Sequence, residues 1–205
     1  MKQYLQRVLL ICAGFFIIGT GGSVFVYSNL GADPLNLLSQ GAAGIFHLPV
    51  GTVNSLMQLL FFLILLLIAR RRIGLGTIIG IFLIGFVMNL WALLLSPWLE
   101  QAPLVVRCLG VVIAPVLVGI GVAMVQTADL GMVPNDLLPL IIYEKLSRFE
   151  YRYVRMAYDL LQFVIGLLLG GVFGIGTVIS ALLTGPSIQW GLSLIARFQK
   201  RTCKI

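Results

Sequence analysis

Leu30-Gly31-Ala32-Asp33-Pro34 and Leu130-Gly131-Met132-Val133-Pro134 stand one hundred residues apart, and this recurrence decides how the chain is built. Moving outward in the same ungapped frame, Gly19 and Gly21 return as Gly119 and Gly121, Gly74-x-Gly76-Thr77 as Gly174-x-Gly176-Thr177, and Gly85 as Gly185. In a leucine-rich chain apolar matches carry little information, whereas glycine and proline recur where the backbone geometry itself recurs. The sequence therefore reads as two copies of one unit, at about 8–96 and 104–196, within a single transmembrane domain spanning 1–205.

Hydrophobic residues make up 60% of the chain and charged residues 10%, with a mean hydropathy of +1.06. That leaves too little polar surface to cover a water-soluble globule. Crossing about 30 Å of hydrocarbon takes roughly 20 apolar residues as helix. Six stretches qualify, at about 8–28, 51–69, 74–95, 104–127, 155–173 and 175–196. They are continuously apolar rather than alternating, as helices are and barrel strands are not. Segments 34–46 and 134–147 are shorter and more polar, carrying Asn36, Ser39 and Gln40 in the first and Asn135, Asp136, Glu144 and Lys145 in the second. Each opens on a proline, which suits a first helical turn. They are expected to be short helices that re-enter the membrane or lie in its interface. The expected fold class is all-α, a polytopic protein of six spans.

Cations collect on the cytoplasmic face of membrane proteins. With six spans and an inward N-terminus, Lys2, Arg7, Arg70, Arg71, Arg72, Lys145, Arg148, Arg152, Arg155, Arg197, Lys200, Arg201 and Lys204 all face inward, leaving Arg107 outside. If both short segments spanned as well, the Arg70-Arg71-Arg72 cluster would be translocated. Three spans per unit is an odd number, so the second unit is expected upside down relative to the first, about an axis in the membrane plane. The units join through the 96–103 segment.

Met1 to Ala13 has the basic start and apolar core of a signal peptide, but it leads into the first helix of a repeated unit, and a retained span is expected. Cys12, Cys108 and Cys203 occupy unrelated positions and suggest no disulfide framework. The net charge of +7 and pI near 9.7 follow from the inner loops and fit contact with acidic lipid rather than nucleic acid. His47 is the single histidine, and neither a nucleophile–base constellation nor a phosphate-cradling Gly-x-x-x-x-Gly-Lys loop is present. The expectation is a protein without catalytic residues, metal or cofactor, not an enzyme.

Gly19-x-Gly21 with Asn29-Leu30-Gly31-Ala32-Asp33-Pro34, its echo Gly119-x-Gly121 with Asp129-Leu130-Gly131-Met132-Val133-Pro134-Asn135-Asp136, and the following Gly-x-Gly-Thr turns resemble the YczE/YyaS/YitT group of small bacterial membrane proteins over most of the chain. The resemblance implies a multi-pass protein of the bacterial plasma membrane and leaves its biochemical activity open.

The two Leu-Gly-x-x-Pro turns are the leading candidates for a solute site. A helix start carries partial positive charge and unpaired N–H groups, so half-helices opening at Pro34 and Pro134 offer donors to a small polar or anionic solute. Asp33, Asn36, Asn135 and Asp136 stand beside them. The plainer reading makes Asp33 an N-cap and the others interfacial side chains. Asn89 and Gln189 are repeat-equivalent amides within spans, and symmetry is expected to draw them toward a shared axis as a deeper part of the site; the alternative is interhelical glue. Asp159, one turn after Arg155, reads as a neutralising pair or as a protonatable coupling group.

Three functions are compatible with these features. The repeat and the proline-led helices favour a gradient-driven transporter or channel. A substrate-binding subunit of a larger importer and a membrane scaffold for a biosynthetic enzyme are the alternatives. The expected partners are the lipid bilayer and a small-molecule solute, with room for a homo-oligomer or a membrane partner.

Overall fold

A computed structural model describes residues 2–146 and 150–202; Arg148, Cys203 and Lys204 lie outside the described residues. The protein is all-α, and no strand occurs among the described residues. Its helices are α1 (Lys2–Ser28), α2 (Pro34–Phe46), α3 (Val50–Ile68), α4 (Leu75–Leu99), α5 (Leu104–Ala128), α6 (Pro134–Leu146), α7 (Tyr151–Leu168) and α8 (Ile175–Thr202), with a 3-10 turn at Arg70–Arg72. Five stretches are long and apolar enough to cross a membrane: Gln3–Ser28, Val50–Ile68, Leu75–Leu99, Leu104–Ala128 and Ile175–Arg197. Leu67, Leu93 and Leu168 are 86%, 78% and 81% exposed. Side chains of this kind belong against lipid, and the exterior is an apolar surface for the bilayer.

The stretch expected at 155–173 differs from the sequence reading. Its helix starts at Tyr151 and stops at Leu168. Gly170 adopts φ +89°, and the Gly171 N–H bonds back to the Gly166 carbonyl at 2.8 Å, which closes the helix. With Arg152, Arg155 and Asp159 inside it, α7 falls outside the set of strongly apolar spans. The joining segment is also shorter than 96–103, because α4 continues through Pro97 to Leu99.

The repeat is visible in the backbone. Asn29 and Asp129 close α1 and α5 in the left-handed conformation, at φ 52° and 51°, which asparagine and aspartate tolerate. Gly31 and Gly131 follow at φ +102° and +113°, a region a side chain rarely enters. These two bends turn the chain back and start α2 and α6 on Pro34 and Pro134.

Packing exchanges elements between units. The Gly76 N–H donates to the Leu130 carbonyl at 2.8 Å, and the Gly176 N–H donates to the Leu30 carbonyl, also at 2.8 Å. Each unit's last helix is thus anchored on the other unit's glycine bend. Gly14 abuts Gly121 while Gly21 abuts Ala114, so α1 and α5 cross in opposite directions. A Cβ on Gly14 would approach the Gly121 carbonyl to 2.9 Å, which makes this a glycine-dependent crossing. Helix α2 packs on α3 and α7, and α6 packs on α7 and α3. Eight of the thirteen residues of α2 are buried, including Asn36 and Ser39. It is a packed internal helix rather than one lying on the surface.

Arg107, the cation that charge counting left alone on one side, donates from Nε to the Ser28 carbonyl at 2.6 Å and from Nη2 to the Asn29 carbonyl at 3.2 Å. A guanidinium there satisfies carbonyls at the end of α1 that have no helical partner.

Candidate functional site

The starts of α2 and α6 are tied to one face of α3. Asn54 and Gln58 are four residues apart and therefore neighbours on that face. The Asn54 amide nitrogen donates to Asn36 Oδ1 at 3.2 Å, in the first turn of α2. Gln58 Oε1 accepts the backbone N–H of Asn135 at 3.1 Å, in the first turn of α6. One helix thus fixes both proline-led starts, and Asn54 and Gln58 are each 2% exposed.

Helix α7, the repeat counterpart of α3, closes the other wall. Gln162 donates to Asn135 Oδ1 at 2.5 Å and the Tyr158 hydroxyl donates to the same atom at 3.1 Å. One turn earlier, Arg155 bridges Asp136 at 2.9 Å and Asp159 at 3.0 Å. The sequence reading of Arg155 and Asp159 as a neutralising pair is observed, and Asp136 is a further partner.

Between these walls lies a cavity of about 470 Å³, lined by Asp33, Asn36, Asn54, Gln58, Gln126, Asn135, Asp136, Arg155, Asp159 and Gln162, with Ser180 and Thr184 from α8. Apolar lining comes from Ile18, Phe25, Ile84, Met88 and Val118. The cavity reaches Tyr151, the first residue of α7. Such a volume, mostly apolar with a few convergent polar groups, suits a small molecule.

Asp33, Asn36, Asn135 and Asp136 all line this cavity. Asp33 occupies the N-cap position of α2 in an extended conformation, yet its carboxylate makes no capping bond to the helix backbone. Instead Asp33 Oδ1 accepts the amide of Asn36 at 2.5 Å.

Asn89 and Gln189 are not brought together and are absent from the cavity lining. Asn89 donates to Thr52 Oγ1 at 2.9 Å across the α3–α4 packing, and Gln189 is exposed on α8. The expectation of a shared axis fails for a geometric reason. Equivalent residues meet only where their helices cross each other, which α1 and α5 do near Ile18 and Val118; α4 and α8 have no comparable packing.

The residues the sequence reading left out of the site are Asn54, Gln58, Arg155, Tyr158, Asp159 and Gln162. Their signal was positional: Asn54 and Gln58 on α3, and Arg155, Tyr158, Asp159 and Gln162 on α7, each form one polar stripe at helical spacing on equivalent helices.

Residues 5–192 match the family of unknown function DUF6198. The chain is 32% identical over 195 residues to an uncharacterized protein of Haemophilus influenzae, covering 95% of this chain and 87% of the relative. In Bacillus subtilis it is 30% identical to the uncharacterized membrane protein YczE, with 94% and 88% of the two chains covered, and 26% identical to the uncharacterized protein YyaS, with 90% and 91% covered. No solved structure matches the chain. An all-helical chain with an apolar exterior, two glycine-bend repeats and these relatives belongs to the DUF6198 family, as a YczE/YyaS-like integral membrane protein.

Proposed function

We propose that the protein is a small gradient-driven transporter or channel of the bacterial plasma membrane, built from two inverted three-span repeats that bind a polar solute between them. The observation that carries this reading is the convergence of the α2 and α6 starts, with their polar side chains, on one cavity of about 470 Å³. Helix starts held inside a membrane protein against an internal cavity are the recurrent solute-site arrangement of repeat-built transporters.

The inverted arrangement is supported by the opposed directions of α1 and α5 and by the reciprocal Gly76–Leu130 and Gly176–Leu30 bonds. Exchange of equivalent partners at equal distances is what a two-fold relation produces. Helix α7 completes six spans in this reading. Its 18 residues reach about 27 Å at 1.5 Å per residue, and Arg155 and Asp159 face the cavity rather than lipid. The cytoplasmic placement of both termini rests on the cation distribution. The Arg72–Glu144 bridge at 2.9 Å agrees with it by joining the arginine cluster to the end of α6 on one side of the molecule.

Purified protein reconstituted into proteoliposomes tests the reading by solute-driven charge displacement and counterflow over a panel of small cationic, neutral and anionic metabolites. Saturable movement of one class supports it. Absence of flux for every class, with a fixed partner protein co-purifying, overturns it in favour of a scaffold or importer subunit.

A further inference from the structure

The charge and hydrogen-bond polarity of the cavity select among solute classes, an inference that rests on the transporter reading above. The charged side chains lining the cavity are Asp33, Asp136, Arg155 and Asp159. Arg155 is shared by Asp136 and Asp159 at 2.9 and 3.0 Å, so that cluster keeps an excess carboxylate. Asp33 forms no ion pair among the described residues. Two helix starts contribute about half a positive charge each. With all three carboxylates ionised, they outweigh the one guanidinium and these helix starts by about one negative charge. An anion, the solute the helix starts alone would favour, meets net repulsion here.

The hydrogen bonds point the same way. A carboxylate only accepts, so the Asn36 amide nitrogen must face Asp33 Oδ1, as it does at 2.5 Å. This turns Asn36 Oδ1 toward Asn54, whose nitrogen donates to it at 3.2 Å. Asn54 Oδ1 is then left buried without a donor. Gln162 gives its nitrogen to Asn135 at 2.5 Å, and its Oε1 is likewise buried without a donor. Asn54 and Gln162 are 2% and 4% exposed, and both line the cavity. The atoms of these two side chains left with no partner at all are both acceptors, and buried acceptors require donors. Water supplies donors without charge; the excess carboxylates call for donors that carry positive charge. No group of three His, Cys, Asp or Glu side chains among the described residues is placed to hold a metal ion. A protonated amine is the simplest organic group that brings several N–H donors together with one positive charge.

We propose that the cavity takes a small organic ammonium ion, with Asp33 as its counter-charge and the amide oxygens of Asn54 and Gln162 turning toward it to accept its N–H groups. The apolar wall of Ile18, Phe25, Ile84, Met88 and Val118 receives the carbon skeleton.

Full-length protein in lipid nanodiscs is titrated with methylammonium, ethanolammonium, tetramethylammonium, glycerol and acetate while its melting temperature is followed, and the same compounds are tested for flux in proteoliposomes. Methylammonium and ethanolammonium are expected to stabilise the protein saturably. Tetramethylammonium, with the charge but no N–H, is expected to bind at least tenfold more weakly. Asp33→Asn is expected to lower ammonium affinity at least tenfold, with Asp33→Glu recovering part of it. Should Asp33→Asn not insert, Asn54→Leu serves in its place and is expected to weaken methylammonium while sparing tetramethylammonium. Glycerol or acetate stabilising and crossing while the ammonium ions do neither would overturn the ammonium assignment and leave the transporter reading standing. If no compound of any charge binds or crosses, both fall. Full ammonium affinity in Asp33→Asn overturns the assignment by itself.

Discussion

Arg155 reaches from α7 to Asp136 in the first turn of α6, with Nη1 2.9 Å from the carboxylate, and so locks the start of a proline-led helix to the helix that follows it. Breaking an interior ion pair from one side costs about 3–5 kcal/mol. With Arg155 30% and Asp136 20% exposed, water relieves part of this, and about 2 kcal/mol is expected for Arg155→Gln. Adding Asp136→Asn and Asp159→Asn to it removes the stranded charges and is expected to restore most of the loss. Thermal melting in detergent or nanodiscs measures both; a triple variant less stable than the single one would contradict this account.

The glycine bends are expected to be intolerant of a side chain. Gly31 and Gly131 lie at φ +102° and +113°, and a Cβ on Gly31 would come within 2.7 Å of both the Gly174 nitrogen and Thr177 Oγ1. Gly31→Ala and Gly131→Ala are each expected to lower stability by about 1–3 kcal/mol. Because they act at separate junctions, their effects are expected to add. Gly44, with nothing within 4 Å of its Cβ direction, is the control and is expected to accept alanine with little change.

Topology is checked by labelling single cysteines in intact cells on a background lacking Cys12, Cys108 and Cys203. A membrane-impermeant reagent is expected to reach a cysteine at Glu100 and to spare one at Arg71, until the cells are opened. Ready labelling at Arg71 from outside would reverse the orientation drawn from the cation distribution.

The cavity and the expected amide pair are separable by mutation. Removing a hydrogen-bonding partner from a buried polar contact costs about 1–3 kcal/mol, roughly 5- to 150-fold in affinity. Loss of this size is expected for solute binding in Asn36→Ala and Asn135→Ala, which line the cavity. Gln189→Leu, on an exposed position of α8, is expected to leave binding unchanged. Asn89→Leu removes the bond to Thr52 and is expected to lower melting temperature without lowering affinity. Equal loss of affinity in all four would show that the cavity is not where the solute sits.

Much of this arrangement was legible in the chain because glycine and proline report backbone geometry directly. Pro34 and Pro134 begin their helices as read, and Gly31 and Gly131 take the positive φ that leaves glycine as the natural occupant. The end of α7 was not legible, since Gly170 and Gly171 sit in an apolar run that reads equally well as a span and as a stop. Asn89 and Gln189 misled because sequence equivalence fixes a symmetry relation but not a distance from the axis. Gln58 and Tyr158 show the converse. They are repeat-equivalent and chemically unlike, so no glycine-style match flagged them, yet both contact Asn135.

The reciprocal anchoring of Gly76 on Leu130 and Gly176 on Leu30 sets an order of assembly during synthesis. When the first half leaves the ribosome, its last helix has no partner for the Gly76 N–H, because the bend that supplies the Leu130 carbonyl has not yet been made. The second half meets no such delay. Its Gly176 arrives to find Leu30 already inserted, so the nascent chain closes from its late half onto its early one. A truncated product ending before residue 130 therefore carries an unanchored helix start, and the two halves made as separate polypeptides are expected to complement each other where neither persists alone.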